Sequence, residues 1–374
     1  MKILHTSDLH LGRSLNEHED LIEDQRYVLN EMLAIIENNK IDAFLISGDI
    51  YDKSIPTIDA INLFNDFLNS LHKLKVEVFI ISGNHDSNDR LNYGANLFDM
   101  MNIHIESIYK GQIKKYSLKD VDIYLLPFIK PLHIKKYMAD SEYKNINNAN
   151  DMMKWVLNKE DINKKKKNIL MMHQFVVAKG KDLELSDSEM ADSVGTLEKI
   201  DAKLLKDFDY VALGHIHKPQ KVTEKIIYSG SPLQYSFSEC GNNNHVVLYD
   251  SELDSIEYID LKPLRKMRII KDTFENIMKM KKSDDLIKVE LLDEEPIISP
   301  MDKIKKHFPN ALALSFVKRK NNNKEIESVA NKEYKENPLD AFSDLFEIKK
   351  GRKMNKEEKG YMEDIINKIY EDNK

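Results

Sequence analysis

Five short apolar runs recur along the first two thirds of the chain, and each drops abruptly into polar residues. "KILHTSDLH" ends in Asp8 and His10, "DAFLISGDIYD" in Asp49 and Asp52, and "EVFIISGNHD" in Asn84, His85 and Asp86. "NILMMHQ" ends in His173, and "YVALGHIHKP" in His215 and His217. Runs of this kind, aliphatic or β-branched and bounded by Gly or a polar residue, predict buried strands. Between the first three, Glu23 to Asn38 and Thr57 to Leu74 are amphipathic and predict helices on the faces of a sheet. Strand alternating with helix implies an α/β layer fold.

In such sheets the ligand site lies beyond the carboxyl ends of the strands, and all five polar clusters sit there. They can therefore converge on one point, as the set Asp8, His10, Asp49, Asn84, His173, His215 and His217. Carboxylate, carboxamide oxygen and imidazole suit Mn²⁺, Fe²⁺ or Zn²⁺. So many protein ligands are too many for one ion that keeps an open position. They suit two ions about 3.5–4 Å apart with one carboxylate shared. A single strand-end histidine is commonly structural, and Asp after Gly is commonly a turn or cap. The repetition of one context argues for the metal reading.

The ordered set DLH (8–10), GDIYD (48–52), GNHD (83–86), His173 and GHIH (214–217) resembles the calcineurin-like binuclear metallophosphoesterases. "SGNHDSNDRL", "HQFVVAKG", "YVALGHIHKPQKV" and "YSGSPLQYSFSE" are similar to the bacterial relatives of the Mre-type double-strand-break nucleases, and the likeness continues nearly to the end of the chain. It implies a sandwich of two β-sheets flanked by helices, a small α+β capping domain and a C-terminal helical tail. It also implies two Mn²⁺ ions per chain, cutting of DNA ends and hairpins together with an SMC-like ATPase, and a homodimer through the helices near 57–71 and 88–101, whose Phe64, Leu68, Leu97 and Phe98 are more apolar than one buried face needs. By that resemblance Asp8, His10, Asp49 and His217 hold one ion, and Asp49, Asn84, His173 and His215 the other. Asp49 bridges, and a two-metal-activated hydroxide attacks the phosphodiester. His85 then stabilises the transition state or acts as general acid, with Asp52 as its partner. Asp52 agrees with the bacterial branch, since archaeal relatives carry His there. Asp86 is expected to hold its loop through backbone hydrogen bonds. Arg90 is a candidate phosphate contact or a helix-surface residue. Tyr235 and Phe237 are candidates for stacking on an unpaired base, or alternate into the core.

Beyond the last ligand, Arg265–Ile270, Phe274–Met280, "LIKVELL", "MDKIKKHF" and "ALALSFV" predict a small α+β unit. Lys262, Arg265, Lys266 and Arg268 there are candidate phosphate contacts or solvated charge. The expected boundaries are a nuclease domain over 1–264, a capping domain over 265–320, a polar linker over 321–337 and a tail over 338–374. In the tail, Leu339, Phe342, Leu345 and Phe346 form one apolar stripe, and Met362, Ile365, Ile366 and Ile369 a second. Asn355 and Glu358 predict a capping box. The stripes need a surface to dock on, and the resemblance implies the ATPase's coiled-coil base.

Composition narrows the rest. The only cysteine is Cys240, which excludes a disulfide framework or a cysteine-based zinc site. The net charge of −7 argues against coating nucleic acid by bulk charge, though it permits a local basic groove. The tetralysine at Lys164–Lys167 reads as a solvated run before a strand. No GxxxxGK[ST] motif occurs, so the chain itself is not expected to bind a nucleotide cofactor. No apolar run approaches the ~20 residues that span a bilayer. No membrane contact and a cytoplasmic location are expected. The competing functions are a small-molecule or cyclic-nucleotide phosphodiesterase on the same site, and a non-catalytic scaffold for the ATPase.

Overall fold

The computed structural model describes residues 1–15, 19–180, 183–186, 198–317, 339, 342–343, 346, 352–356 and 358–363. Each predicted run is a strand: β1 (Lys2–Thr6), β2 (Ala43–Ser47), β3 (Glu77–Ile81) and β4 (Ile103–Glu106) lie parallel in register. β5 (Lys114–Leu118), β6 (Val121–Leu126), β7 (Lys167–His173), β8 (Tyr210–Gly214), β9 (Gln220–Lys221) and β10 (Ile226–Tyr228) follow, and then β11 (His245–Asp250) and β12 (Ser255–Asp260). They form two six-stranded sheets, in the orders β12-β11-β1-β2-β3-β4 and β9-β10-β8-β7-β6-β5.

Residues alternate along each strand between the two faces. Ile3, Leu45, Phe79 and Ile81 of the first sheet meet Ile123, Leu125, Met171 and Tyr210 of the second in an apolar core between the sheets. The opposite face of the first sheet is covered by α1 (Ile22–Asn39) and α2 (Ile58–Leu74), through Met32, Ile36, Leu63 and Phe67. Helix Ala149–Leu157 covers the second sheet through Met152, Met153 and Val156. The result is the expected sandwich of two sheets between helices. α2 starts where Thr57 caps the Ala60 amide, and it buries Ala60, Leu63, Phe64, Phe67, Leu68 and Leu71 on one face. Phe64 and Leu68, expected at a dimer surface, therefore belong to this core. Leu97 is exposed, and so are Ile58 and Ile61 of α2.

By contact the chain divides into one unit of 1–290 with 295–315 and a second of 291–294 with 316–374. Residues 265–290 thus fall in the first unit, and Met267 and Leu286 join the core under α1 and α2. β13 (Met267–Asp272), β14 (Leu286–Leu291) and β15 (Ala311–Phe316) form a three-stranded sheet, accompanied by helices Phe274–Lys279 and Pro300–His307. Arg265, a candidate phosphate contact, has its guanidinium ion-paired with buried Asp24. Arg268 pairs with Asp285 at 2.9 Å. In the tetralysine, Lys164, Lys166 and Lys167 face Asp207, Asp122 and Asp209.

In the second unit Asn355 and Glu358 close the expected capping box, with bonds of 2.8 and 2.9 Å. The linker 321–337, Leu345 and the stripe residues Ile365, Ile366 and Ile369 lie outside the described residues. Among the described residues no helix is long and apolar enough to cross a membrane.

Gly214 closes β8 against the end of the other sheet. A Cβ there would run into the Ser47 carbonyl oxygen of the other sheet and the His173 ring. Gly214→Ala should cost about 1–3 kcal/mol, as overpacking does, whereas Gly360→Ala, with open space around it, should not. Urea unfolding of the two variants measures this. A Gly214→Ala chain as stable as the parent would show that the sheets have slack at this point.

Candidate metal centre

The ends of β1, β2 and β3 and those of β7 and β8 belong to different sheets, yet they meet. Ser47 Oγ donates to the Ala212 carbonyl at 3.0 Å, and His173 Nδ1 donates to the Ser47 carbonyl at 2.8 Å. Gly83 permits the approach of a third strand end, because a Cβ there would overlap the Asp49 carboxylate. Asp8, His10, Asp49 and His215 all sit at positive φ. Such backbone costs of order 1–3 kcal/mol per residue and persists at functional sites held by their surroundings. Here it turns the exits of β1, β2 and β8 toward one spot.

All seven predicted ligands come together. His10 Nε2 and His217 Nε2 are 3.0 Å apart, and both histidines lie beside Asp8. Asn84 Oδ1 is 3.1 Å from His173 Nε2 and 2.9 Å from His215 Nδ1. Asp49 Oδ2 lies between the two groups, 3.6 Å from His10 Nε2 and 3.3 Å from His173 Nε2. Asp8 also accepts the His215 main-chain N–H at 3.0 Å.

The site does not satisfy itself. Asp8, His10, Asp49 and His173 are buried, and His10 Nδ1 is buried without a hydrogen-bond partner. Burial pushes Asp8 above the usual carboxylate range. Burial would do the same to Asp49, but the charge and hydrogen bond of His173, together with the His10 and His85 charges, outweigh it and hold Asp49 low. Burial opposes a charge on His173, yet Asp49 lifts it to about 9. Burial and then the His173 charge lower His215 to about 3. Two carboxylates, a carboxamide oxygen and four imidazoles aimed at one another fit divalent cations, whose positive charge would offset the buried carboxylates.

The supporting residues are partly as expected. Asp86 accepts N–H bonds from Gly83, Ile50 and Tyr51 at 2.9, 3.1 and 3.0 Å, so it ties the β3 loop to the β2 loop. Burial and the neighbouring Asp49 push it up to about 6, against the pull of those bonds. His85 donates its main-chain N–H to Asp49 Oδ1 at 2.9 Å, and its ring stands edge-on to His10. Its Nδ1 lies 2.9 Å from the main-chain oxygen of Asp52. The contact expected from the Asp52 carboxylate is therefore made by the backbone, while Asp52 Oδ1 pairs with Arg13 at 2.8 Å.

Tyr235 does not present its ring for a base. It is only 2 % exposed, its hydroxyl donates to the Leu9 carbonyl, and its edge packs on His10 and His217. Phe237 is half-buried against the same apolar cluster. Arg90 is exposed on the one-turn helix Asn88–Leu91.

Three residues escaped the sequence reading. Gln25 of α1 accepts from Gly12 N–H at 3.0 Å and donates to the His10 carbonyl at 2.7 Å. Arg13 holds Asp52. Glu239, 1 % exposed, accepts His217 Nδ1–H at 3.0 Å and the Tyr235 N–H at 2.8 Å. Glu239 ends the "SGSPLQYSFSE" stretch, and an acid there was the available signal.

A carboxylate behind a ligating histidine fixes its tautomer and strengthens it as a ligand, and losing one typically costs 10–100-fold in metal affinity. Glu239→Gln keeps an acceptor and removes the charge. It should weaken Mn²⁺ binding about 10-fold or more by calorimetric titration, with an unchanged circular dichroism spectrum. Unaltered affinity would show that the pair is purely structural.

Residues 1–219 match the family model of the calcineurin-like phosphoesterases, and residues 263–350 match a model described as the type 5 capsule protein repressor C-terminal domain. The chain is 36 % identical over 327 residues to the SbcCD nuclease component SbcD of Staphylococcus epidermidis, covering 85 % of this chain and 86 % of that one. Among solved structures, an archaeal phosphodiesterase shares 10 % identity with a TM-score of 0.34, covering 70 % of this chain and 100 % of its own. A dimetal phosphatase from Danio rerio shares 12 % identity with a TM-score of 0.39, covering 70 % and 99 %. With the phosphoesterase model matching more than half its length, and with the donors of all five strand ends gathered at one centre, the chain belongs to the calcineurin-like phosphoesterase family.

Proposed function

We propose that this chain is the nuclease component of a DNA end-processing complex, a manganese-dependent phosphodiester hydrolase that works with an SbcC-type SMC-like ATPase. The observation that carries the reading is the convergence of seven buried or half-buried donors with His85 beside them. The name of the Staphylococcus relative supports nuclease chemistry and assembly with an SbcC component.

Asp8, His10, Asp49 and His217 would hold one cation, and Asp49, Asn84, His173 and His215 the second. When bound, two cations would offset the phosphodiester's charge and lower the pKa of a water, so that hydroxide is available as the nucleophile near neutral pH. The remaining work falls to the chain. Since a carbonyl oxygen can only accept, His85 keeps a proton on Nδ1 for Asp52. A second proton on Nε2 then exists only in the imidazolium form. Giving that proton to the departing sugar oxygen returns the neutral ring with its Nδ1–H bond intact, so the backbone contact fits a general acid. Asn84 supplies a ligand without adding negative charge beside an anionic substrate.

The homodimer would use the exposed apolar residues Ile58, Ile61, Leu97 and Met100. The tail from Leu339 onward would dock on the ATPase as a helix in a groove.

His85→Ala should keep both ions and lose about 10²–10⁴-fold in cleavage of a single-stranded oligonucleotide with Mn²⁺. Metal content and cleavage are measured in parallel. Loss of an ion would assign His85 to the ligand set instead.

Removing Ala341–Lys374 should abolish binding to the ATPase, read by co-purification, and leave the melting temperature of the remaining chain nearly unchanged. A clear fall in melting temperature with partner binding retained would place the stripes on this chain's own body.

A further inference from the structure

Beside the second group of ligands lies a cavity of about 220 Å³ that the seven donors and His85 do not account for. His215 lines one side of it, and Phe128 and Phe175 line others. The Phe128 ring is close to parallel with His215, with centroids 6.4 Å apart at 24°. Phe175 stands perpendicular to it at 6.3 Å.

The walls are fixed from several directions. The Phe128 N–H donates to the Ser82 carbonyl at 2.9 Å, which ties it to the strand end that carries Asn84. Gln174, 3 % exposed, donates from Nε2 to the Ile129 carbonyl at 2.8 Å and so joins the two segments that carry the rings. The Tyr228 hydroxyl donates to the Gln174 carbonyl at 2.9 Å and accepts the Val176 N–H at 2.7 Å. The lining carries one charge of each sign, Lys130 and Glu198, 4.0 Å apart; Lys130 lies 5.7 Å from the Phe128 ring, and Lys199, outside the lining, 6.0 Å from the Phe175 ring. The space is smaller than the ~300–1,000 Å³ of a drug-sized site. It suits a single planar ring system whose attached phosphate points toward the metal ligands.

We infer that Phe128 and Phe175, with the His215 ring, form a stacking pocket for one unpaired nucleobase of the strand being cut, next to the scissile phosphate. This rests on the nuclease reading. Stacking is sequence-tolerant because every base has a π-face, so the pocket would grip any terminal base and seat its phosphate on the ligands. Tyr235 cannot do this, since it is buried behind His10 and His217.

A shielding role, in which the rings merely keep the ligand histidines dry, makes a different prediction. Phe128→Leu keeps apolar cover and removes the ring, whereas Phe128→Trp keeps a ring. The probes are short single-stranded oligonucleotides with non-cleavable phosphorothioate linkages, either complete or abasic at the 3′- or the 5′-terminal nucleotide. Binding is read by fluorescence anisotropy in the presence of Mn²⁺. Phe128→Leu should weaken binding of the complete oligonucleotide roughly 5- to 100-fold. It should leave unchanged the affinity for the oligonucleotide abasic at one of the two ends, and Phe128→Trp should restore binding. That non-additivity is the mark of direct contact. Equal losses on complete and abasic oligonucleotides, or no loss on either, would overturn the pocket. Cleavage is scored separately on unmodified DNA. A wild-type chain that does not cut DNA defeats the nuclease reading, whereas a chain that cuts DNA without the base coupling defeats only this inference.

Discussion

Two sheets approach each other at Ser47 and Gly214, Gly83 lets the end of β3 lie against Asp49, and together these approaches set the distances in the centre. Ser47 reaches Ala212 across 165 residues of sequence, and His173 reaches back to Ser47. Any side chain at Gly83 or Gly214 would wedge the strand ends apart. Asp49 could then no longer lie between His10 and His173. The glycines before Asp49, Asn84 and His215 are therefore part of the coordination geometry, although they carry no donor. The left-handed backbone at Asp8, His10, Asp49 and His215 is strain held in place by the packed sheets beneath.

Charge is the second constraint. Burying carboxylates beside imidazoles is expensive unless each is paired. The chain meets this partly by internal pairing of Asp49 with His173 and by main-chain N–H groups that reach Asp8, Asp49 and Asp86. The remainder, including the close pair His10 and His217, is left for cations. The supporting ring of Gln25, Arg13, Asp86 and Glu239 has one common action: each fixes a loop or a ring nitrogen whose other end faces the centre. Preorganisation of this sort lets ligands bind metal with little further loss of entropy.

The donors were legible because each follows an apolar run that ends in Gly or a polar residue, a pattern that survives in one dimension. The helices were legible for the same reason, since Leu63, Phe67 and Leu71 repeat at helical spacing. Tyr235 was not. Nothing local distinguishes an aromatic that stacks on a ligand from one whose hydroxyl meets the Leu9 carbonyl, in a loop that runs into a short 3₁₀ turn. Phe64 and Leu68 were read as surplus for one face, yet a broad apolar stripe on α2 is wholly covered by the sheet below. The ion pair of Arg265 was not legible either, because its partner, Asp24, stands on α1.

The sequence by itself determined which atoms could hold metal, that they end strands, and that glycines precede three of them. Only the tertiary structure decided that the strand ends come from two different sheets. It also decided that the Asp52 carbonyl meets His85, and that Glu239 lies behind His217. The reason is physical. Periodicity records which side of an element is buried, because burial acts on every residue of that face. It does not record which distant element does the burying, because one hydrogen bond between remote residues leaves no repeating trace in the chain.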